Sequence, residues 1–163
     1  MNEQLLKMNG LSVQILDMLS FESHLGIPLK KNLHYFDKES LIEELIAMTE
    51  WLDEQELLSE IALDYRIKSL DSILMKYERY YPDHQTRKVF NDILGFRAFC
   101  DSYEQISEEK SPQFRIADMT KGKSVDDGYR GVHVYYQKSG RHYPIEIQFN
   151  TLFDRQLNNW LHD

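Results

Sequence analysis

Val132-His133-Val134-Tyr135-Tyr136-Gln137-Lys138-Ser139-Gly140-Arg141-His142-Tyr143-Pro144-Ile145-Glu146-Ile147-Gln148-Phe149 is the stretch that decides the class of fold. Its ends, residues 132–137 and 143–149, are short β-branched and aromatic runs on either side of Ser139-Gly140, a hairpin signal. In the second run Ile145, Ile147 and Phe149 alternate with Glu146 and Gln148, so one strand face is apolar and the other carries a carboxylate and a carboxamide. Residues 93–100 and 114–117 have the same strand character. The second half of the chain is therefore predicted to be a sheet.

Upstream the period changes. Leu41, Leu45, Met48 and Leu52 recur at helical spacing, with Ile42 and Ile46 widening the stripe and Glu43, Glu44 and Glu50 on other faces. Asp37 is the predicted N-cap, with Phe36 and Leu41 placed as a hydrophobic staple around it. Residues 4–24 carry a weaker pattern through Leu5, Leu16 and Leu19, interrupted by Gly10 and closed by Gly26 and Pro28, which predicts a helix or a pair. A second long helical pattern covers residues 57–80 through Leu58, Ile61, Tyr65, Ile73 and Tyr77, open to a break near Tyr65 and stopped by Pro82. Residues 151–162 return to helical composition, with Leu152, Gln156 and Trp160 about a turn apart. Helices, then mostly antiparallel strands, with helices at both ends, predict an α+β fold: a mixed, largely antiparallel sheet with helices on one face.

Composition bounds the function. With 163 residues, 42% hydrophobic and 28% charged, the chain has the size and balance of one globular domain, which excludes disordered and fibrous classes. No apolar run approaches the roughly 20 residues that cross a bilayer, and no basic start followed by an apolar stretch marks a secretory signal. Cys100 is the sole cysteine, so no intrachain disulfide or multi-cysteine zinc site can form, which suits the cytoplasm. A net charge of −8 argues against a protein that coats nucleic acid, so any polyanion must be met by a local basic surface.

Familiar motifs fail first. Lys121-Gly122-Lys123-Ser124 resembles the end of a phosphate loop, but the required first glycine is Ala117. No G-x-G-x-x-G follows a strand, and the six histidines never fall at H-E-x-x-H spacing.

Three segments remain. Arg66, Lys68, Ser72 and Lys76 fall on one helical pattern, where offsets of four place Lys68, Ser72 and Lys76 on one face. That spacing suits either a basic strip for a polyphosphate or an ordinary solvated helix face. Asp92 precedes a buried-looking strand that carries Arg97, while Glu146 and Gln148 share one face of another strand. Two carboxylates from neighbouring strand ends could hold Mg²⁺, and simple half-exposure of an antiparallel sheet would give the same alternation. Gly128-Tyr129-Arg130-Gly131-Val132-His133 puts Tyr129, Gly131 and His133 on one side, offering either a flat aromatic face for a base or plain packing.

Together and in order, these segments resemble the synthetase domain of the RelA/SpoT family, which transfers pyrophosphate from ATP to the 3′-hydroxyl of GDP or GTP. The family's R-x-K-S-x-x-S-I-x-x-K is matched by residues 66–76, and its D-x-x-G-x-R by Asp92, Gly95 and Arg97. Its N-G-Y-x-S-x-H and E-[IV]-Q-[IV]-R-T appear as residues 127–133 and 146–151, with Gly131 for the serine and Asn150 for the arginine. The usual proline-lysine pair is replaced by Ser124-Val125-Asp126-Asp127, two acids that would repel acceptor phosphates, with Lys121 and Lys123 able to compensate from a shifted loop.

The resemblance implies a nucleotidyltransferase-like fold in one domain, residues 1–163, with N-terminal helices over 1–62 and a nucleotide-binding and catalytic core over 63–163. It implies that Arg66, Lys68, Ser72 and Lys76 hold ATP, and that Asp92 and Glu146 bind Mg²⁺, with Glu146 alternatively accepting the attacking hydroxyl's proton. Tyr129 would stack on the acceptor guanine, with His133, Arg97 and Gln148 on the same acceptor side. The departures cluster on that side and leave open another acceptor, such as the 3′ end of tRNA, or a non-catalytic nucleotide-binding module. The closest description is a stand-alone small alarmone synthetase without hydrolase or regulatory domains, a class that commonly forms homo-oligomers.

Overall fold

The computed structural model describes residues 1–106, 111–122 and 127–162. Strand β2 (Leu94–Phe99) shows how the sheet is built: Leu94, Phe96 and Ala98 are fully buried, whereas Arg97 and Phe99 point to the opposite, exposed side. Burial alternates in β4 (Val132–Tyr136), β3 (Phe114–Asp118) is partly exposed on both sides, β5 (Ile145–Asn150) is buried on both faces except at Gln148, and a short β1 (Asp64–Ile67) completes five strands among the described residues in the order β1-β2-β5-β4-β3. Only β2 and β5 pair in parallel; β1 with β2, β3 with β4 and β4 with β5 are antiparallel. The mixed, largely antiparallel α+β architecture is as the alternation predicts.

Helices α1 (Glu3–Met8), α2 (Val13–Met18), α3 (Lys38–Asp53) and α4 (Glu56–Glu60) precede the sheet, α5 (Leu70–Tyr80) and α6 (Thr86–Val89) separate β1 from β2, and α7 (Leu152–His162) follows β5. The N-terminal pattern resolves into the pair α1 and α2, capped by Asn2 and Ser12 and separated by Gly10 at φ 76°. Asp37 caps α3 by accepting from the Ser40 amide at 3.0 Å, and Leu41, Leu45, Met48 and Leu52 are fully buried. No helix among the described residues is long and apolar enough to cross a membrane.

Two expectations need correction. The break left open near Tyr65 is a strand, β1, so Arg66 lies in the sheet and not on the helical pattern of residues 57–80. The register of β1 against β2 satisfies backbone groups that a helix would otherwise have used, and Ser69 then restarts the helix by accepting from the Ser72 amide at 3.2 Å. The hairpin signalled by Ser139-Gly140 does form, β4 and β5 pairing antiparallel, with strand structure stopping at Tyr136 and resuming at Ile145 and the loop between braced by His142 bridging to Glu22. Glu44 does not lie on a solvated face of α3 but is buried.

Glu44 ties the helices to the sheet. Its carboxylate accepts from Ser23 Oγ at 2.8 Å, from the His24 amide at 2.6 Å and from the Tyr143 hydroxyl at 2.6 Å. Burial, and then the bond to Glu44, push the Tyr143 hydroxyl far above the ordinary tyrosine range, so it stays protonated and donates to Glu44. Glu44→Ala removes one acceptor group from three buried or part-buried donors and is expected to lower unfolding free energy by about 2–4 kcal/mol. Urea unfolding measures this, with Glu44→Gln losing less; equal midpoints for wild type and Glu44→Ala would show that the cluster contributes nothing.

Candidate active site

Because paired residues share a sheet face, the strand registers lay polar side chains in rows across the front of the sheet. One row runs Arg66, Gly95, Glu146, Tyr135, Arg115, and the next runs Asp64, Arg97, Gln148, His133, Ala117. Phe99 and Asn150 begin a third. The reverse face carries the apolar row Tyr65, Phe96, Ile147, Val134, Ile116. A cleft of about 280 Å³ lies over Arg66, Gly95, Arg97, Glu146 and Gln148. A second of about 290 Å³ is lined by Arg87, Lys88, Asn91, Arg115, Tyr135 and Gln137, among others. Glu146 in the first and its row neighbour Tyr135 in the second place the two clefts side by side.

Glu146 is 6% exposed, not half-exposed as plain alternation would leave it. Its Oε1 accepts from Gln148 Nε2 at 2.7 Å, and its Oε2 lies 3.6 Å from His133 Nδ1. Gly95 keeps the floor open beside it, since a Cβ there would stand 3.4 Å from Oε1. Burial first, then the charge of Glu146 and a hydrogen bond to it, and also the charge of Asp92, raise the Tyr135 hydroxyl far above the ordinary range. Both carboxylates therefore act on the same hydroxyl. The Arg115 guanidinium sits 4.6 Å over the Tyr135 ring, and the Tyr135 hydroxyl lies 3.4 Å from His133 Nδ1.

The basic strip takes a different form from the one spacing suggests. Lys68 lies between β1 and α5, Ser72 in the first turn of α5, and Arg66 in β1, so Lys68, Ser72 and Lys76 do not share a helix face as the spacing suggests. Lys68 Nζ donates to Asp92 Oδ2 at 3.0 Å and Lys76 Nζ to Asp92 Oδ1 at 3.2 Å, while Lys76 also donates to the Val89 carbonyl at 2.9 Å. The Asp92 side chain is only 12% exposed, and a carboxylate taken from water needs such partners. Two ammonium groups on one carboxylate leave a local excess of one positive charge.

Tyr129 is half-buried, with its hydroxyl 2.8 Å from His133 Nε2 and its ring edge-on to the imidazole at 5.6 Å between centroids. Lys121 is exposed; Lys123 and residues 124–126 lie outside the described residues. Arg115 and Tyr135 are the front-face residues that motif reading missed. The signal for Tyr135 is its position two residues past His133 in a strand, which places it on the same face.

Among the described residues no three His, Cys, Asp or Glu side chains form a metal-holding group. Mg²⁺ does not require one, because it commonly takes one or two carboxylates and completes its shell with waters and substrate phosphates. Asp92 just before β2 and Glu146 in the neighbouring β5 are oxygen donors of the kind a hard cation takes, and Lys68 and Lys76 hold both Asp92 oxygens.

The sequence profile of the region found in RelA / SpoT proteins matches residues 65–162, which run from β1 to α7 and hold the front-face rows except Asp64. The chain belongs to the RelA/SpoT family. Small alarmone synthetase 1 from Bacillus subtilis, bound to its product pppGpp, is 24% identical over 75% of this chain and 70% of its own, with a TM-score of 0.44. The same enzyme bound to AMPCPP gives 22% identity, 74% and 71% coverage and 0.38. Small alarmone synthetase 2 from the same organism gives 20% identity, 78% and 79% coverage and 0.43. Among curated proteins none matches.

In this RelA/SpoT domain Asp92→Ala leaves the Lys68 and Lys76 ammonium groups facing each other without their carboxylate. A stability loss of about 1–3 kcal/mol is expected, partly restored by adding Lys76→Met. A denaturation cycle over the four proteins checks this, and strictly additive changes would show that the pair is not coupled.

Proposed function

We propose that this RelA/SpoT domain transfers pyrophosphate from ATP to the 3′-hydroxyl of GDP or GTP, producing (p)ppGpp and AMP in the cytoplasm. The observation that carries the proposal is the front-face row in which Glu146 separates two arginine-lined clefts beside the lysine-gripped Asp92, within the family's matched region. Two substrates must meet end to end in such a reaction, and one cleft holds Arg66 of the proposed donor set together with Arg97 and Gln148 of the proposed acceptor set around Glu146.

In this proposal residues 63–163 form the catalytic core and the helices of 1–62 support it. Arg66, Lys68, Ser72 and Lys76 take the ATP donor. Lys68 and Lys76 supply charge for its phosphates, and Asp92 holds both ammonium groups in place before the nucleotide arrives. Pyrophosphoryl transfer asks for positioning and charge neutralisation more than covalent chemistry, so preset donors lower the barrier without reorganising. Asp92 and Glu146 would hold Mg²⁺, which when bound neutralises developing charge on the transferred phosphates.

Glu146 also fits as acceptor of the 3′-hydroxyl proton, since Gln148, Tyr135 and His133 hold its carboxylate in one orientation. Tyr129, His133, Arg97 and Gln148 form the acceptor side, and the half-buried Tyr129 ring offers an edge anchored by His133 instead of a freely swinging face. The altered residues there, Gly131 and Asn150, favour one further reading: an acceptor of the same chemistry but different size, such as the 3′ end of tRNA.

Purified protein with Mg²⁺ and radiolabelled ATP, offered GDP, GTP and tRNA in turn, is expected to release AMP with a guanine nucleotide. Asp92→Asn and Glu146→Gln should each lower that rate by on the order of 10³-fold at unchanged nucleotide-binding stoichiometry. AMP release with tRNA alone would replace the acceptor. Nucleotide binding without turnover under any condition would reduce the protein to a binding module.

A further inference from the structure

The segment that carries Tyr129 into β4 is held from the far end of the chain. Asn158 of α7, 5% exposed, grips both ends of one residue: its Oδ1 accepts from the Arg130 amide at 3.2 Å and its Nδ2 donates to the Arg130 carbonyl at 2.9 Å. Asn150, 2% exposed, donates to the same carbonyl at 2.8 Å. Arg155, one turn into α7, orients Asn150 by donating to its Oδ1 from Nε at 3.3 Å and from Nη2 at 3.2 Å. That guanidinium is itself seated 4.6 Å over the Phe99 ring.

The two altered motif positions belong to this arrangement. A Cβ on Gly131 would stand 2.6 Å from Asn150 Nδ2, 2.9 Å from the Tyr129 hydroxyl and 3.1 Å from the Phe149 carbonyl. A serine at 131 would thus occupy the space that the Asn150 carboxamide uses to reach Arg130. At the other end of the segment Gly128 has φ 89°, and a Cβ there would meet Leu161 Cδ1 of α7 at 2.7 Å. Both glycines let α7 and the end of β5 close on the backbone that bears Tyr129.

We propose that α7 is the positioning element of the acceptor side, with Asn158 setting the place of Tyr129 through the Arg130 backbone and Gly131 matched to Asn150 within the same clamp. Asn158 acts only through that backbone, so it is a positioning residue. Its bonds reach neither β1, α5 nor the approach to β2, where the donor residues lie. Loss of the clamp should therefore weaken one substrate and spare the other. This role rests on the assignment of Tyr129 to the acceptor side.

Calorimetric titration of the full chain with GDP and, separately, with AMPCPP, both in Mg²⁺, tests it with Asn158→Ala. Losing two hydrogen bonds to the clamped residue should weaken GDP by about tenfold while AMPCPP affinity changes less than about twofold. Should Asn158→Ala fail to fold, Asn158→Gln keeps the same donor and acceptor but displaces them by one methylene, and is read in the same way. Equal weakening of both nucleotides, or GDP affinity unchanged in a folded variant, overturns the positioning role alone. A wild-type chain that binds neither nucleotide overturns the proposed function and this role with it.

Discussion

A carboxylate in the central strand of a five-stranded sheet is the constraint on which the rest depends. Glu146 is almost wholly removed from water, and an ionised group so placed costs several kcal/mol unless it is compensated. Compensation comes from its own strand through Gln148 and from β4 through His133 and Tyr135, while Gly95 on the parallel neighbour withholds a side chain. The contributions from β4 and from Gly95 depend on register. A slip of one residue in β5 would drive Glu146 into the apolar row and bring Ile147 to the front, so the pairing that buries the core is also the pairing that assembles the clefts.

The legible parts of the sequence were those whose structure is written in short periods. Alternation disclosed β2 to β5, and the four-residue recurrence of Leu41 to Leu52 disclosed α3 and its Asp37 cap. Strand β1 was hidden because it is an edge strand whose first three residues are exposed, so it has no buried alternation. Tyr65 meanwhile continues the helical spacing of its neighbours by coincidence. The front face was legible as residue types and invisible as partnerships. Lys68 and Lys76 look like a free cationic strip until Asp92, many residues away, is folded between them. Asn158 gave no signal, since one more polar residue in an amphipathic helix is ordinarily solvated and only the fold turns it onto the Arg130 backbone.

The net charge of −8 and the affinity for polyanions that the proposed reaction needs are compatible because electrostatics at a cleft is local. Screening in physiological salt reduces the influence of exposed charges beyond about 8 Å. Much of the acidic excess is carried by α3 and α4, as Glu39, Glu43, Glu50, Asp53, Glu56 and Glu60, and none of these lines either cleft. Arg66 and Arg97 line one cleft, and Arg87, Lys88 and Arg115 the other. What a nucleotide would meet is therefore this set of cations and the paired lysines, against the three carboxylates Asp64, Asp92 and Glu146.

The same physics bears on why the segments proposed for the donor side keep the family pattern and those proposed for the acceptor side depart from it. On the donor side, charge and architecture share the same groups: Lys68 and Lys76 neutralise Asp92, Lys76 also caps the Val89 carbonyl, and Arg66 lies in a strand whose backbone pairing holds it beside Gly95. Replacing Lys68 or Lys76 removes a charge partner of Asp92, and replacing Lys76 also loses the bond to the Val89 carbonyl. On the acceptor side the backbone bearing Tyr129 is held by neutral carboxamides, and neutral contacts can be exchanged in matched pairs. Gly131 makes room for Asn150, Asn150 takes the Arg130 carbonyl, and Arg155 brings a guanidinium back to the strand end where the family motif has its arginine. Divergence is thereby channelled into the half of the site where a compensated exchange leaves no buried charge unpaired.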